Sequence, residues 1–302
     1  MKMKKLLLPI LSFFIFSCAH AENDRAFFWK VNKGEDEAEQ STVYLMGSIH
    51  FADETFYPLR PEIERAFDES EYLVVELNVN NSDPEAYNQL LSQKGMYTDG
   101  KTIKDAISDE TWQQLHQRLR QLNVSYDAVK YYKPGVLVLT ISAVQVMQMG
   151  FDPQLGLDVY FLTKAAQQPE KKIIEFETLE QQVALFLDIP DGELLIKESL
   201  HSLDESDAMM ADMVKYWKQG DDSYMNKLLF EDTLTDYPAF GEIYGRLFYE
   251  RNRKMVSKID DMLKQASETK HSYFVVVGSG HLVGEKGIVN SLKEMGYEVK
   301  RQ

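Results

Sequence analysis

The 302-residue sequence holds a single cysteine, no basic block beyond its first five residues and no apolar run long enough to anchor in a bilayer. Each scarcity excludes something. Cys18 falls within a segment that reads as a secretion leader. Lys2, Lys4 and Lys5 form a positive start, Leu6 to Phe16 an apolar core, and Ala19-His20-Ala21 a small-x-small cleavage site. Cleavage after Ala21 leaves a chain without thiols or disulfides, held by its packed core alone. The alternative is a lipoprotein leader with Cys18 acylated after Ile15-Phe16-Ser17, for which Phe16 is bulky. Either way the chain is expected to be exported: periplasmic, secreted, or tethered to a membrane by lipid at Cys18.

Positive charge is also scarce. Lys and Arg number 33 against 48 Asp and Glu, a formal charge of −15 that loss of the three leader lysines would carry to −18. Phosphate-backbone binding needs clustered Lys and Arg, so nucleic acid is not expected as a partner. The longest later apolar stretch, Val136 to Met149, is interrupted by Thr140, Ser142, Gln145 and Gln148 and reads as a core helix. No transmembrane anchor is expected after cleavage.

What remains has an α/β pattern. Ala26 to Val31 and Thr42 to Gly47 are rich in aromatic and β-branched residues and read as a hairpin across an acidic loop. Pro58 to Ser70 has helical spacing, and Tyr72 to Leu77 (YLVVEL) is the near-continuous apolar run of a strand buried on both faces. Strand, helix, strand over this span predicts a βαβ unit with parallel strands. The middle is mostly helical: Asp83 to Gln93, Asp109 to Leu122, Val136 to Met149, Leu157 to Ala166, Asp191 to Leu234 and Tyr244 to Ala266, with one strand, Lys172 to Phe176, among them. The chain closes with strand Tyr273 to Val277, helix Gly287 to Met295 and strand Tyr297 to Lys300. Residues 22–302 are therefore expected to form one α/β domain. Its mostly parallel sheet is built from both ends of the chain, with a helical insertion across about 83–265.

One internal echo carries chemistry. TVYLMGSIH and YFVVVGSGH are both strands ending in Gly-x-x-His. Ligands of parallel sheets collect beyond the carboxyl ends of the strands, and there the sequence puts His50, Glu76 and His281, with Glu175 and Glu177 after a fourth strand. Gly47 and Gly278 are expected to let the chain turn sharply and aim each imidazole over the sheet. Two neutral imidazoles and one carboxylate leave open positions on a divalent ion, the ligand set of catalytic sites, and a second carboxylate could act as general base. The bland alternative is that strand-end histidines are hydrogen-bonded structural groups. Glu76 in an apolar strand weighs against it, because a buried carboxylate needs a cation, a donor or a raised pKa. Gly278-Ser279-Gly280 starts like a dinucleotide fingerprint, but Val283 occupies its sixth position. Neither HExxH nor GxSxG occurs. His116, His201 and His271 read as surface residues, and Met209 to Met213 as packing.

Several longer segments occur in a recognisable order. They are FFWKV at Phe27, YLMGSIHFAD at Tyr44, YPLRPEIERAFDESEYLVVELN at Tyr57 and LGLDVYF at Leu155. FETLEQQVALF at Phe176, Glu250-Arg251-Asn252, and VVVGSGHLVGEKGIVNSLKEMGYEV at Val275 complete the series. In this the chain resembles the TraB/GumN family, which is related to the TIKI metalloproteases. The resemblance implies an α/β fold with two Gly-x-x-His motifs and an acidic residue in one site. It makes His50, Glu76 and His281 central and adds Asp158, Glu177 and Arg251 as supporting members. Asp158 is alternatively a helix-start residue, and Arg251 the partner of an acid on its own helix.

The resemblance leaves the activity open. TIKI members resemble metal-dependent proteases, while GumN-like members are linked with polysaccharide biosynthesis and TraB-like members with pheromone shutdown. Related folds include erythromycin esterases and haem-binding lipoproteins. Three functions are compatible with these residues. The first is a metal-dependent hydrolase of peptides or other small substrates, using Mn²⁺, Co²⁺ or Zn²⁺. The second is a non-catalytic peptide- or haem-binding protein. The third is a metal-independent esterase-like hydrolase with His50 or His281 as base.

Overall fold

The computed structural model describes residues 25–33, 41–81, 83–264 and 270–302, apart from the side chains of 204–208. The expected leader, with Cys18, lies outside the described residues.

Six strands form one mixed sheet, ordered β4-β3-β5-β2-β1-β6. β1 is Phe28–Asn32, β2 Thr42–Ser48 and β3 Tyr72–Val75; β4 is Lys172–Glu175, β5 Ser272–Gly278 and β6 Glu298–Arg301. The first three and the last two come from opposite ends of the chain, as the apolar runs foretold. β2, β3 and β4 run parallel to β5 or to each other, while β1 is antiparallel to both β2 and β6. The βαβ reading gains one correction. β2 and β3 point the same way, but β5 sits between them and pairs with both. The composition of β5 explains this. Burial on both faces is available only near the centre of a covered sheet, and Tyr273 to Val277 are all buried.

Helices cover the sheet. Phe67 of helix Pro61–Glu69 and Phe161 of helix Leu157–Ala166 meet Phe274 of β5, with ring centroids 4.7 to 5.5 Å apart. Lys171, just ahead of β4, buries its ammonium and donates to the Phe67 and Ser70 carbonyls. A cation there satisfies the last acceptors of helix Pro61–Glu69 and pins the edge strand beside it.

Two long helical readings are broken. Asp191 to Leu234 is interrupted at Gly220, in the left-handed conformation at φ 67°, where the N–H groups of Gly220 and Asp221 turn back to Trp217 and Tyr216. Tyr244 to Ala266 contains a π turn, Gly245–Tyr249, before helix Glu250–Lys264; residue 266 is outside the described residues. A helix that the pattern did not reveal, Leu179–Leu187, is entered through a capping box of Thr178 and Gln181. None of the described helices is long and apolar enough to cross a membrane.

Candidate active site at the carboxyl edge of the sheet

Register brings the chemistry together. Ser48 of β2 pairs with Gly278 of β5, and Val75 of β3 pairs with both Val276 of β5 and Glu175 of β4. Four parallel strands thus end along one edge. His50 follows β2 by two residues, Glu76 follows β3 by one, Glu177 follows β4 by two and His281 follows β5 by three.

The convergence can be located at Gly278. A methyl placed on its Cα would stand 3.4 Å from His50 Nε2, 3.5 Å from Glu76 Oε1 and 3.6 Å from His281 Cδ2. That corrects the expected role of the glycines. Gly278 has φ −52° and ψ 138°, which any residue adopts, and its lack of a side chain leaves open the space that the three groups face. Gly47 is not at a turn either: it lies within β2, where a Cβ would press to 2.8 Å from Phe27 Cβ and Ser279 Oγ. Gly280 likewise leaves room for Phe248, whose ring packs 5.2 Å from that of His281.

Each imidazole is held by Nδ1. His281 is buried, and its Nδ1 lies 2.5 Å from Asn252 Oδ1. The Asn252 amide nitrogen donates to the Lys286 carbonyl, so its oxygen is the acceptor and His281 Nδ1 carries the proton. The bare Nε2 then faces Glu76 Oε1 at 3.8 Å. Burial holds His281 down to about 4, with the attraction of Glu76 opposing, so the ring is neutral near pH 7. His50 pairs through Nδ1 with Asp158 Oδ1 at 3.2 Å, and Ser48 Oγ donates to the same oxygen at 2.7 Å. The surroundings of His50 disfavour its charge, but Asp158 and then Glu76 outweigh them and raise it to about 9. Because the side chain is 56% exposed, water screens that pair.

Glu76 is 9% exposed. Its Oε1 accepts from Gly278 N at 2.7 Å, and its Oε2 receives Arg251 Nη2 and, at 3.3 Å, Gln182 Nε2. Burial pushes this carboxyl up, but His281, Arg251, His50 and the Gly278 N–H together bring it to about 2. With His281 neutral above its low pKa, Arg251 is the buried cation that balances Glu76 near pH 7. Arg251 also donates from Nε and Nη2 to the two oxygens of Glu177, at 2.7 and 2.8 Å, and from Nη1 to Leu247 O at 2.8 Å in the π turn. Its acidic partners come from the ends of β3 and β4, not from its own helix. The guanidinium is therefore taken up by protein carboxylates and is not available to a substrate carboxylate.

All six expected residues meet in one site. Asp158 is both a first-turn residue of its helix and the His50 partner, so its two readings are compatible. Glu175 stays outside, accepting from Asn78 N. Sequence reasoning missed Ser48, Gln182 and Asn252, and also Gly156, whose Cβ would meet His50 O at 2.4 Å. All four stand within the family-like segments, Ser48, Asn252 and Gly156 within two residues of His50, Arg251 and Asp158, and that proximity was their only signal. The other histidines among the described residues are half-buried rather than surface groups. His116 stacks on Trp112, His201 packs against Tyr237, and His271 lies 2.6 Å from Glu71.

For a divalent ion the donor chemistry fits. His281 offers a bare Nε2, His50 would offer a second once it gives up its proton, and with the Glu76 carboxylate they face one open space; both imidazoles have the oriented Nδ1 contacts typical of metal ligands. The spacing is wider than coordination requires: among the described residues, no three His, Cys, Asp or Glu side chains are grouped to hold a metal.

An acidic α/β protein with an imidazole-carboxylate site on the carboxyl edge of a mostly parallel sheet is what fold and site define. Comparison with known proteins places it further: the chain belongs to the TraB/PrgY/gumN family, which matches residues 27–301. It is similar to the uncharacterized protein YbaP of Escherichia coli strain K12, 25% identical over 251 residues covering 83% of this chain and 87% of that protein. It is also similar to metalloproteases TIKI2 and TIKI1 of Xenopus tropicalis. These are 22% identical over 92% of this chain and 21% over 91%. The chain spans 60% and 61% of their respective lengths. No solved structure matches.

Proposed function

We propose that this protein is an extracytoplasmic metal-dependent hydrolase of peptide bonds, with His50, Glu76 and His281 as the ligands of a Mn²⁺, Co²⁺ or Zn²⁺ ion. The observation that carries the reading is the meeting of both Gly-x-x-His imidazoles with Glu76 around the open space at Gly278. The similarity to metalloproteases and the leader-like first 21 residues support it. An ion held there supplies Lewis acidity toward a carbonyl and toward water.

The chain's own groups have separate tasks. Asn252 and Asp158 orient the two rings so that each Nε2 faces inward. Arg251 and Gly278 N hold Glu76 ionised. Glu177 has both oxygens engaged by Arg251 and Gln182, so it positions Arg251. Asp158, at 20% the most exposed of the three carboxylates, is left as the proton acceptor.

The test is to purify the protein without chelator and measure metal content and peptidase activity for wild type and His50→Ala. Equal metal and equal activity in the two would remove the reading. A metal-independent reading draws on a specific observation as well: the His50–Asp158 contact resembles an acid-base pair, and three donors do not stand at ligand spacing. Activity indifferent to chelator and lost in Asp158→Asn would favour it. Since His50 keeps its proton up to about pH 9, the pair would serve as an acid near neutrality.

A further inference from the structure

A recess of about 490 Å³ opens directly beside the site, sharing Glu177 and Arg251 with it. Its lining carries four cations, Arg246, Arg251, Lys254 and Lys258, against two acids, Glu177 and Glu250. That excess runs against the formal charge of −15 on the whole chain. Arg251 is committed to Glu76 and Glu177. Among the described residues, none of the other three cations has a carboxylate partner. Arg246 Nη2 donates to Ala184 O at 3.1 Å and Lys258 Nζ to Phe176 O at 2.5 Å, both neutral carbonyls. A second observation concerns Arg246 itself: its Nε is buried without a hydrogen-bond partner, so the guanidinium charge in the recess wall is poorly compensated by the protein. A buried donor left unmade is costly, and folded proteins rarely leave one without a use. The recess also has apolar lining, from Leu185 and the deeply buried Met255, which suits a methylene stem behind a charged head.

We infer that this recess is a subsite for a carboxylate of a peptide substrate, gripped by Arg246, Lys254 and Lys258. The inference rests on the proposed peptide hydrolysis for the word substrate, and on the recess alone for the carboxylate. Arg246 contributes a fixed positive charge to the wall, and the exposed Lys254 and Lys258 supply ammonium groups that reach the anion from the rim. Through Arg251 the recess adjoins Glu76, so an acidic residue bound there lies beside the reacting bond. The carboxylate can come from a Glu or Asp side chain or from the peptide's C-terminus, and the two sources are separable.

Three short peptides serve as probes with EDTA-treated protein at low ionic strength: N-acetyl-Glu-Glu-amide, N-acetyl-Gln-Gln with a free carboxylate, and N-acetyl-Gln-Gln-amide. Each exposed ion pair is worth a few-fold in affinity, so the two lysines together predict about a tenfold preference for a charged peptide over the neutral one. Preference for the first identifies a side-chain subsite, and preference for the second a terminal-carboxylate subsite. The double variant Lys254→Gln/Lys258→Gln should lose most of that preference, as should added salt. Both lysines are exposed, so replacing them spares the fold where replacing Arg246 would not. Equal binding of all three peptides, no binding by any, or a preference unchanged in the double variant would overturn the inference. Because these arms exclude metal, the acidic preference can survive even where the hydrolase reading fails.

Discussion

Asn252 Oδ1 stands 2.5 Å from His281 Nδ1, and this contact decides which nitrogen of the ring faces Glu76. Asn252 is itself held by Lys286 O, a few residues beyond His281, so the imidazole is oriented by a fixed acceptor. In metal sites such partners fix the tautomer and the direction of the lone pair. Asn252→Ala should therefore weaken Mn²⁺ or Zn²⁺ binding about 10- to 100-fold in calorimetric titration. Affinity equal to wild type would mean that His281 is not a ligand.

Gly278→Ala separates the site from the fold. Alanine adopts φ −52° without strain, and its methyl makes only ordinary contacts at 3.4 Å and beyond. Loss of glycine's freedom in the unfolded chain should leave stability unchanged or raised by about 0.4–1 kcal/mol. The methyl nevertheless fills the space faced by His50, Glu76 and His281. Hydrolysis should fall about 10²-fold or more while the melting temperature holds. Full activity in a well-folded variant would place the reacting atoms elsewhere.

The two imidazoles make stability depend on pH in opposite windows. For His50 the folded pKa, about 9, exceeds the ordinary 6.5. Its contribution is complete below about 6.5 and disappears as pH rises through 9. The stability difference between wild type and Asp158→Asn, measured by denaturant titration, should shrink across that interval. For His281 the folded value is lowered to about 4. As pH falls from 6.5 to 4 the unfolded chain binds a proton that the native ring refuses, and stability declines. A flat profile from pH 4 to 6.5 would contradict the neutral, buried His281.

Trp217 ties helix Gly192–Gln219 to the sheet: its Nε1 donates to Gly47 O at 2.8 Å in a buried contact. Trp217→Phe leaves that carbonyl unsatisfied and should cost about 1–3 kcal/mol in denaturant unfolding. It should also loosen β2 just ahead of His50. A variant as stable as wild type would show that another donor, or water, takes over.

Much of this protein was written locally along the chain. Apolar runs such as Tyr273 to Val277 have the composition of a central strand, because burial on both faces admits no polar alternation. Strand-end position likewise marked His50, Glu76 and His281, since parallel strands deliver the residues after them to one edge. Tertiary structure alone decided the rest. Whether β5 lies between β2 and β3, which acids neutralise Arg251, and which nitrogen of each imidazole faces the site depend on contacts such as Arg251 with Glu76, 175 residues apart. Hydrogen bonds and ion pairs act over a few ångströms of space whatever the separation in sequence, and no periodicity records them. The same holds for the glycines: Gly47 is required by what packs against it, since a Cβ there would meet Phe27 Cβ and Ser279 Oγ at 2.8 Å.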